Sequence, residues 1–286
     1  MHVSLFSKLL LDHPIEEAMR IAAEAGYEGI ELSGMAPHLT ADIDADRLRN
    51  IRRLASDLGL SIVSIANYVG NYERVSTDEA VARLERFQAF VRIADMLHCG
   101  YVRHIPANIA PDCATQQDWD TEMTWLRREA KYAAGFGINL LLEMHDGSLI
   151  ATADSTRRYI QEACLPNLAV TYDVGNIYLA HAPYGVDELK KVEQWVHVVH
   201  VRDHAAFAPD GHAPATFLGE GVLDWPPIVA RLRSIGFQGY LSCECELFAR
   251  PVAALLSYWV PTTDLSSAEI VARECRAIKA LRDSTR

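Results

Sequence analysis

The chain has 286 residues, half of them hydrophobic, and carries a formal net charge of −11 at pH 7. Such a composition can bury a core and excludes a disordered chain, and the acidic balance argues against a nucleic-acid partner. No apolar run reaches membrane-spanning length, no signal-peptide pattern opens the chain, and its six cysteines do not read as a disulfide framework. A reduced, cytoplasmic protein with no membrane partner is expected.

In chain order, short apolar runs fall at 2–6, 28–33, 60–66, 101–105, 138–143, 168–173, 196–201 and 239–245. Helical patterns separate them: Ile15 to Ala25, Leu48 to Leu58, Ala80 to Leu97, Trp119 to Phe136, and a last one near Ala268 to Leu281. Leu84, Phe87, Val91 and Ala94 show the three-or-four spacing of an amphipathic helix. Gly59, Gly100 and Gly137 each stand just before a strand, where glycine ends a helix in the left-handed conformation. Eight strands, each followed by a helix, predict an α/β fold, a single (βα)8 TIM barrel over residues 1–286. A doubly wound sheet would need an early glycine-rich phosphate loop, and no G-x-G-x-x-G occurs. Two connections exceed what packing needs, 203–224 and 246–265. Both leave the strand ends where such barrels do chemistry, so both are expected to shape substrate access. The second holds Val252, Leu255, Leu256, Tyr258 and Trp259. It reads equally as a helix packed on the barrel and as a lid or a contact in a homo-oligomer, and it favours a substrate with a nonpolar part.

Four successive runs end in Glu143, Asp173, His200 and Glu244, which are 30, 27 and 44 residues apart, about one strand–helix unit each. On parallel barrel strands their side chains meet at one end. Three carboxylates and an imidazole make an oxygen-rich cage for one divalent ion, Mn²⁺ foremost, with Mg²⁺, Co²⁺ or Zn²⁺ as alternatives. Alternation along the strands turns Glu143 and His200 inward and His197 outward as a structural histidine. Glu244 and Glu246 share one parity, which leaves either as the ligand on strand eight. Cys243 and Cys245 take the opposite parity and read as small core residues. His104, beside Arg103 at the end of strand four, reads equally as a barrel histidine and as a substrate contact. His145 would protonate a substrate oxygen or orient Glu143.

Several motifs make the chain resemble the sugar-phosphate isomerase/epimerase family of xylose-isomerase-like TIM barrels. They are Leu-Leu-Leu-Glu-Met-His at 140–145, Tyr-Asp-Val-Gly-Asn at 172–176, Val-His-Val-Val-His-Val-Arg-Asp at 196–203, Leu-Gly-Glu-Gly-Val-Leu-Asp-Trp at 218–225 and Gly-Phe-Gln-Gly-Tyr-Leu-Ser-Cys-Glu at 236–244. The resemblance implies that Glu143, Asp173, His200 and Glu244 bind one metal, and it selects Glu244 over Glu246. It implies that Glu143 and Glu244 are also the catalytic acid/base pair. It further implies that His145, Asn176 and Arg202 touch a small carbohydrate-like substrate or support the ligands. The expected activity is a metal-dependent isomerase or epimerase of a small sugar, keto-sugar or hydroxy-keto acid, working by proton abstraction next to a carbonyl and a stabilised enediolate. The alternative is a lyase acting on a keto-inositol, a dehydroshikimate or an oxidised glycoside. Relatives that cut DNA at apurinic sites hold three zinc ions with additional histidines. Strand three here ends in Ser-Ile-Ala-Asn-Tyr, without one.

Overall fold

The computed structural model describes residues 1–284. Eight parallel strands close a barrel: β1 (His2–Phe6), β2 (Gly29–Ser33), β3 (Ser61–Ala66), β4 (Tyr101–His104), β5 (Asn139–Glu143), β6 (Leu168–Asp173), β7 (Val196–Val201) and β8 (Tyr240–Cys243). Each strand pairs with its neighbours in sequence, and β8 closes onto β1 with Leu241 opposite Val3. The expected (βα)8 fold is therefore the observed one.

The helices between the strands bury one stripe against the outer barrel wall, as the pattern of α1 (Ile15–Ala25) illustrates: Ile15, Ala18, Met19 and Ala22 are buried. The helices α2 (Ala45–Asp57), α3 (Thr77–Leu97) and α4 (Gln116–Ala134) start three residues before their first expected position. Their side-chain caps Asp44, Ser76 and Thr115 fix the first turn, and the solvent-facing residues of that turn carry no apolar signal. One helix end departs from expectation. Helix α3 closes at His98 in the left-handed region (φ 55°), so Gly100 is not the residue that ends it, whereas Gly59 (φ 67°) and Gly137 (φ 70°) follow the expected pattern.

Val63, Leu141, Ala169 and Val198 pack with Tyr101 and Tyr240 at the closed end. His197 belongs with them. Its ring stacks on Tyr101 with centroids 3.8 Å apart and meets Tyr240 edge-on at 6.1 Å. The outward direction expected for His197 is thus corrected. A register shift pairs Val170 with Val196 but Thr171 with Val198, and this bulge resets the alternation at His197. Cys243 and Cys245 lie, as expected, in the apolar layer between barrel and helices.

The connection 203–224 holds a short antiparallel ribbon, Asp203–His204 with Ala215–Thr216. Asp203 anchors it, accepting backbone bonds from Gly219, Gly221 and Leu223 at 3.0–3.1 Å. Gly221 has no room for a side chain there, because an added Cβ would meet the Asp203 carboxylate. In 246–265, Val252 is fully buried while Leu255, Tyr258 and Trp259 are exposed, so the segment both packs on the barrel and presents aromatic rings outward. No helix among the described residues is long and apolar enough to cross a membrane.

Candidate metal centre

At the carboxyl ends of the strands the four expected ligands converge. Glu143 closes β5, Asp173 closes β6, His200 sits one residue from the end of β7, and Glu244 follows β8. One ligand atom from each lies within 4.8 Å of the other three, and all four residues are buried. Strand register makes the meeting: Asp173 is opposite His200, and His200 is opposite Ser242.

The imidazole of His200 is held on both sides. Nε2 lies 3.1 Å from Glu31 Oε1, while Nδ1 faces Asp173 Oδ2 at 3.1 Å, Glu143 Oε1 at 3.5 Å and Glu244 Oε2 at 2.8 Å. With the proton on Nε2 donated to Glu31, the Nδ1 lone pair is left for a cation, an arrangement that fixes both tautomer and ring orientation. Glu31 itself is buried on β2 and accepts from Ser64 at 2.6 Å and Ser242 at 2.5 Å. Sequence reasoning missed it. A lone carboxylate in the apolar run Gly-Ile-Glu-Leu was the available signal, but it sits in mid-run, not at a strand end.

Two buried arginines balance the carboxylates. Arg103, inward on β4, reaches Glu143 Oε2 at 2.5 Å and donates to the Asn67 carbonyl at 3.1 and 3.2 Å. Arg202 clasps Asp173 at 3.1–3.2 Å and Glu246 Oε2 at 2.8 Å. Gly175 in the Tyr-Asp-Val-Gly-Asn motif makes room for it, since a Cβ there would overlap the Arg202 side chain. Asp173 also caps the short helix Val174–Leu179, and Asn176 Nδ2 donates to its Oδ2 at 2.9 Å.

Burial pushes every carboxyl here upward, and charge decides the outcome. For Glu143, Arg103 and His200 overcome burial and hold it at about 2. Glu244 falls well below the ordinary range because His200 and Arg202 outweigh burial. Asp173 is raised, since burial there exceeds the pull of Arg202. Burial opposes a charge on His200 too, yet Glu244 and Glu31 raise its pKa well above the usual range, so a cation at Nδ1 would take the place of that proton. The cage thus calls for positive charge at its centre. Glu244 Oε2 is buried, and its 2.8 Å contact with His200 Nδ1 is not aligned as a hydrogen bond, which suits an oxygen aimed at a shared cation. Three carboxylates and one imidazole fit a divalent ion.

Above the cage opens a cleft of about 300 Å³, lined among others by Glu143, His145, Asn176, Arg202 and Glu244 together with Lys8, Tyr68, Arg103 and Glu246. His145 is half exposed at this cleft, its Nδ1 2.9 Å from Asp146 Oδ1. Glu246, the rival of Glu244 on parity, turns to Arg202 and lies outside the cage. Of its two readings, His104 takes that of the buried barrel histidine and not that of a substrate contact. It points outward from β4 and is wholly buried beneath α4, with Nδ1 2.6 Å from Glu129, Nε2 2.9 Å from Glu122 and the Tyr159 hydroxyl at 3.0 Å. On so short a strand neighbouring residues face opposite ways, and Arg103 takes the inward place. Lys8, Tyr68, Arg103 and Glu31 are among the cleft and cage residues that sequence reasoning did not select.

Residues 19–265 match the profile of the xylose isomerase-like TIM barrel family. The chain belongs to that family. Among xylose isomerase-like relatives, fructoselysine 3-epimerase of Shigella flexneri is 23% identical over 239 residues, covering 81% of this chain and 85% of the relative. L-Ribulose 3-epimerase of Mesorhizobium japonicum is 24% identical over 257 residues, covering 85% and 79%. The crystal structure of a probable 3-DHS dehydratase of Bacillus anthracis superposes with a TM-score of 0.77 at 19% identity, over 98% of this chain and 99% of that one, which shows a shared fold.

Proposed function

We propose that this protein is a divalent-metal-dependent isomerase or epimerase of a small sugar, keto-sugar or hydroxy-keto acid. The observation that supports it most is the buried convergence of Glu143, Asp173, His200 and Glu244 at the floor of a sugar-sized cleft. Those four residues would hold the ion, Mn²⁺ foremost given the oxygen-rich donors, with Mg²⁺, Co²⁺ or Zn²⁺ as alternatives. A bound ion would polarise a carbonyl and disperse the negative charge that develops when the neighbouring C–H is lost.

The chain's own residues supply the rest. Glu143 and Glu244 come from β5 and β8, three positions apart around the barrel, and enter as carboxylates, the state that Arg103, Arg202 and His200 favour. One carboxylate takes the proton from carbon and passes it to solvent, and the other, once protonated by solvent water, delivers a proton back. Return to the opposite face of the same carbon gives epimerisation, and return to the neighbouring carbon gives isomerisation. Asn176 and Arg202 steady Asp173 while facing the cleft, and Arg103 orients Glu143 through its 2.5 Å bond. Wild-type protein loaded with Mn²⁺ should place solvent deuterium at a carbon next to the carbonyl of a ketose, keto-inositol or keto-acid, read by NMR in D₂O after chelation. No exchange with any member of such a panel, from protein carrying one tightly bound ion per chain, would overturn the reading.

A lyase is the second reading. The imidazole of His145, at the cleft and tethered by Asp146, stands where a donor to a departing hydroxyl would act. The product in the same NMR experiment decides, because dehydration leaves an enone or enol where epimerisation leaves a stereoisomer.

A further inference from the structure

The catalytic cleft does not end at the sugar-sized cavity. A second hollow of about 590 Å³ adjoins it and shares two of its walls, Lys8 and Tyr68. Its other lining includes Met35 and Ala36 from the β2–α2 connection, Tyr258 from the connection after β8, and Arg86 on α3. The walls are mostly apolar, yet Tyr68 and Tyr258 leave 44% and 49% of their surface to solvent. Large rings held open beside a polar cavity await something flat and apolar. Of the apolar residues in 246–265, Val252 packs inward and Tyr258 lines the hollow.

Lys8 stands at the junction. It is nine-tenths buried, and its ammonium lies 4.0 Å from Glu246 Oε1, beyond hydrogen-bond length, and 5.3 Å from the centre of the Tyr258 ring. A buried ammonium between two hollows has donor capacity to give a ligand passing from one to the other.

We propose that the substrate is longer than one sugar: a sugar-like head at the carboxylate cage, an oxygen acceptor at Lys8, and a flat apolar substituent between Tyr68, Met35 and Tyr258. This rests on the reading of the cage as the site for the sugar-like head. It assigns the second hollow to the substituent, and with it a preference for aryl-bearing over bare sugars.

The test compares 4-nitrophenyl, octyl and methyl glycosides of glucose, galactose and mannose, titrated by calorimetry and by saturation-transfer NMR. Stacking of one ring on Tyr258 should make the aryl glycosides bind roughly three- to tenfold tighter than the methyl ones. Tyr258→Phe should keep that advantage and Tyr258→Ala should abolish it, with methyl-glycoside affinity unchanged. Three results would overturn the proposal: equal aryl and methyl affinities or no aryl binding at millimolar concentration, an advantage that survives Tyr258→Ala, or octyl glycosides matching aryl ones. Metal content is measured on the same samples. One bound ion without aryl preference removes the hollow's assignment alone. A Tyr258-dependent preference in protein that binds no ion supports the assignment and removes the metal reading.

Discussion

Glu31 offers the sharpest test of the metal centre, because it touches none of the cleft and acts only through His200. Its carboxylate accepts from three buried donors: His200 Nε2 at 3.1 Å, Ser64 at 2.6 Å and Ser242 at 2.5 Å. Glu31→Gln keeps the shape and one acceptor oxygen but removes the charge. A hydrogen bond to an ionised group is worth about 1.5–3 kcal/mol net, against about 0.5–1.5 for a neutral one. The ring nitrogen facing the ion therefore loses about 1–1.5 kcal/mol of support, roughly tenfold in affinity, and up to about a hundredfold if the ring also loses its tautomer. The measurement is competition for Mn²⁺ and Zn²⁺ against a chelator of known affinity, with thermal unfolding of the metal-free variant as the check on folding. His200→Asn sets the floor. A Glu31→Gln protein that is folded and binds both ions within threefold of wild type would refute the inference that Glu31 holds a ligand histidine.

The remaining predictions address the acid/base pair, the buried histidine and the last helix (Ser267–Ser284). Glu143→Gln and Glu244→Gln should each lower turnover by about 10²–10⁴-fold while the circular dichroism spectrum stays that of wild type, and near-normal rates in both would sink their assignment. His104→Ala leaves Glu122 and Glu129 facing each other without their shared partner, whose imidazole they hold protonated up to about 10 against the cost of burial. It should cost about 3–5 kcal/mol in urea denaturation and leave metal affinity unchanged. Glu274, fully buried on that last helix, is raised by burial to about 7. Its native pKa exceeds the unfolded value of 4.5, so the fold holds the proton more tightly between those pH values, and stability falls as pH rises through that window. Over 2.5 pH units the loss is roughly 3 kcal/mol, so Glu274→Gln should gain on wild type by about that much between pH 4.5 and 8 in urea denaturation. Parallel pH profiles for the two proteins would contradict this.

The four cage residues were legible because each ends an apolar run, and strands β6 and β7 have the bounds read from the sequence, 168–173 and 196–201. What escaped has one physical origin, since a run of letters carries neither the height of a residue in the barrel nor the starting point of its alternation. Barrel strands are staggered, so a side chain in the middle of one strand can stand level with the end of another. Glu31, two residues before the end of β2, reaches His200 for that reason, and a rule confined to strand ends passes over it. Alternation likewise needs an origin. At His197 a bulge shifts it by one residue, and the ring goes into the barrel floor. On β4 a four-residue strand offers two adjacent polar side chains, Arg103 and His104, set between the apolar Val102 and Ile105, so the hydrophobic pattern does not say which of the two faces in. The deciding partners are remote: Glu143 on β5 draws Arg103 inward, and Glu122 and Glu129 on α4 draw His104 out. Buried charges go where their counter-charges are, so on short polar strands the ion pairs, and not the hydrophobic pattern, set which residue meets the substrate.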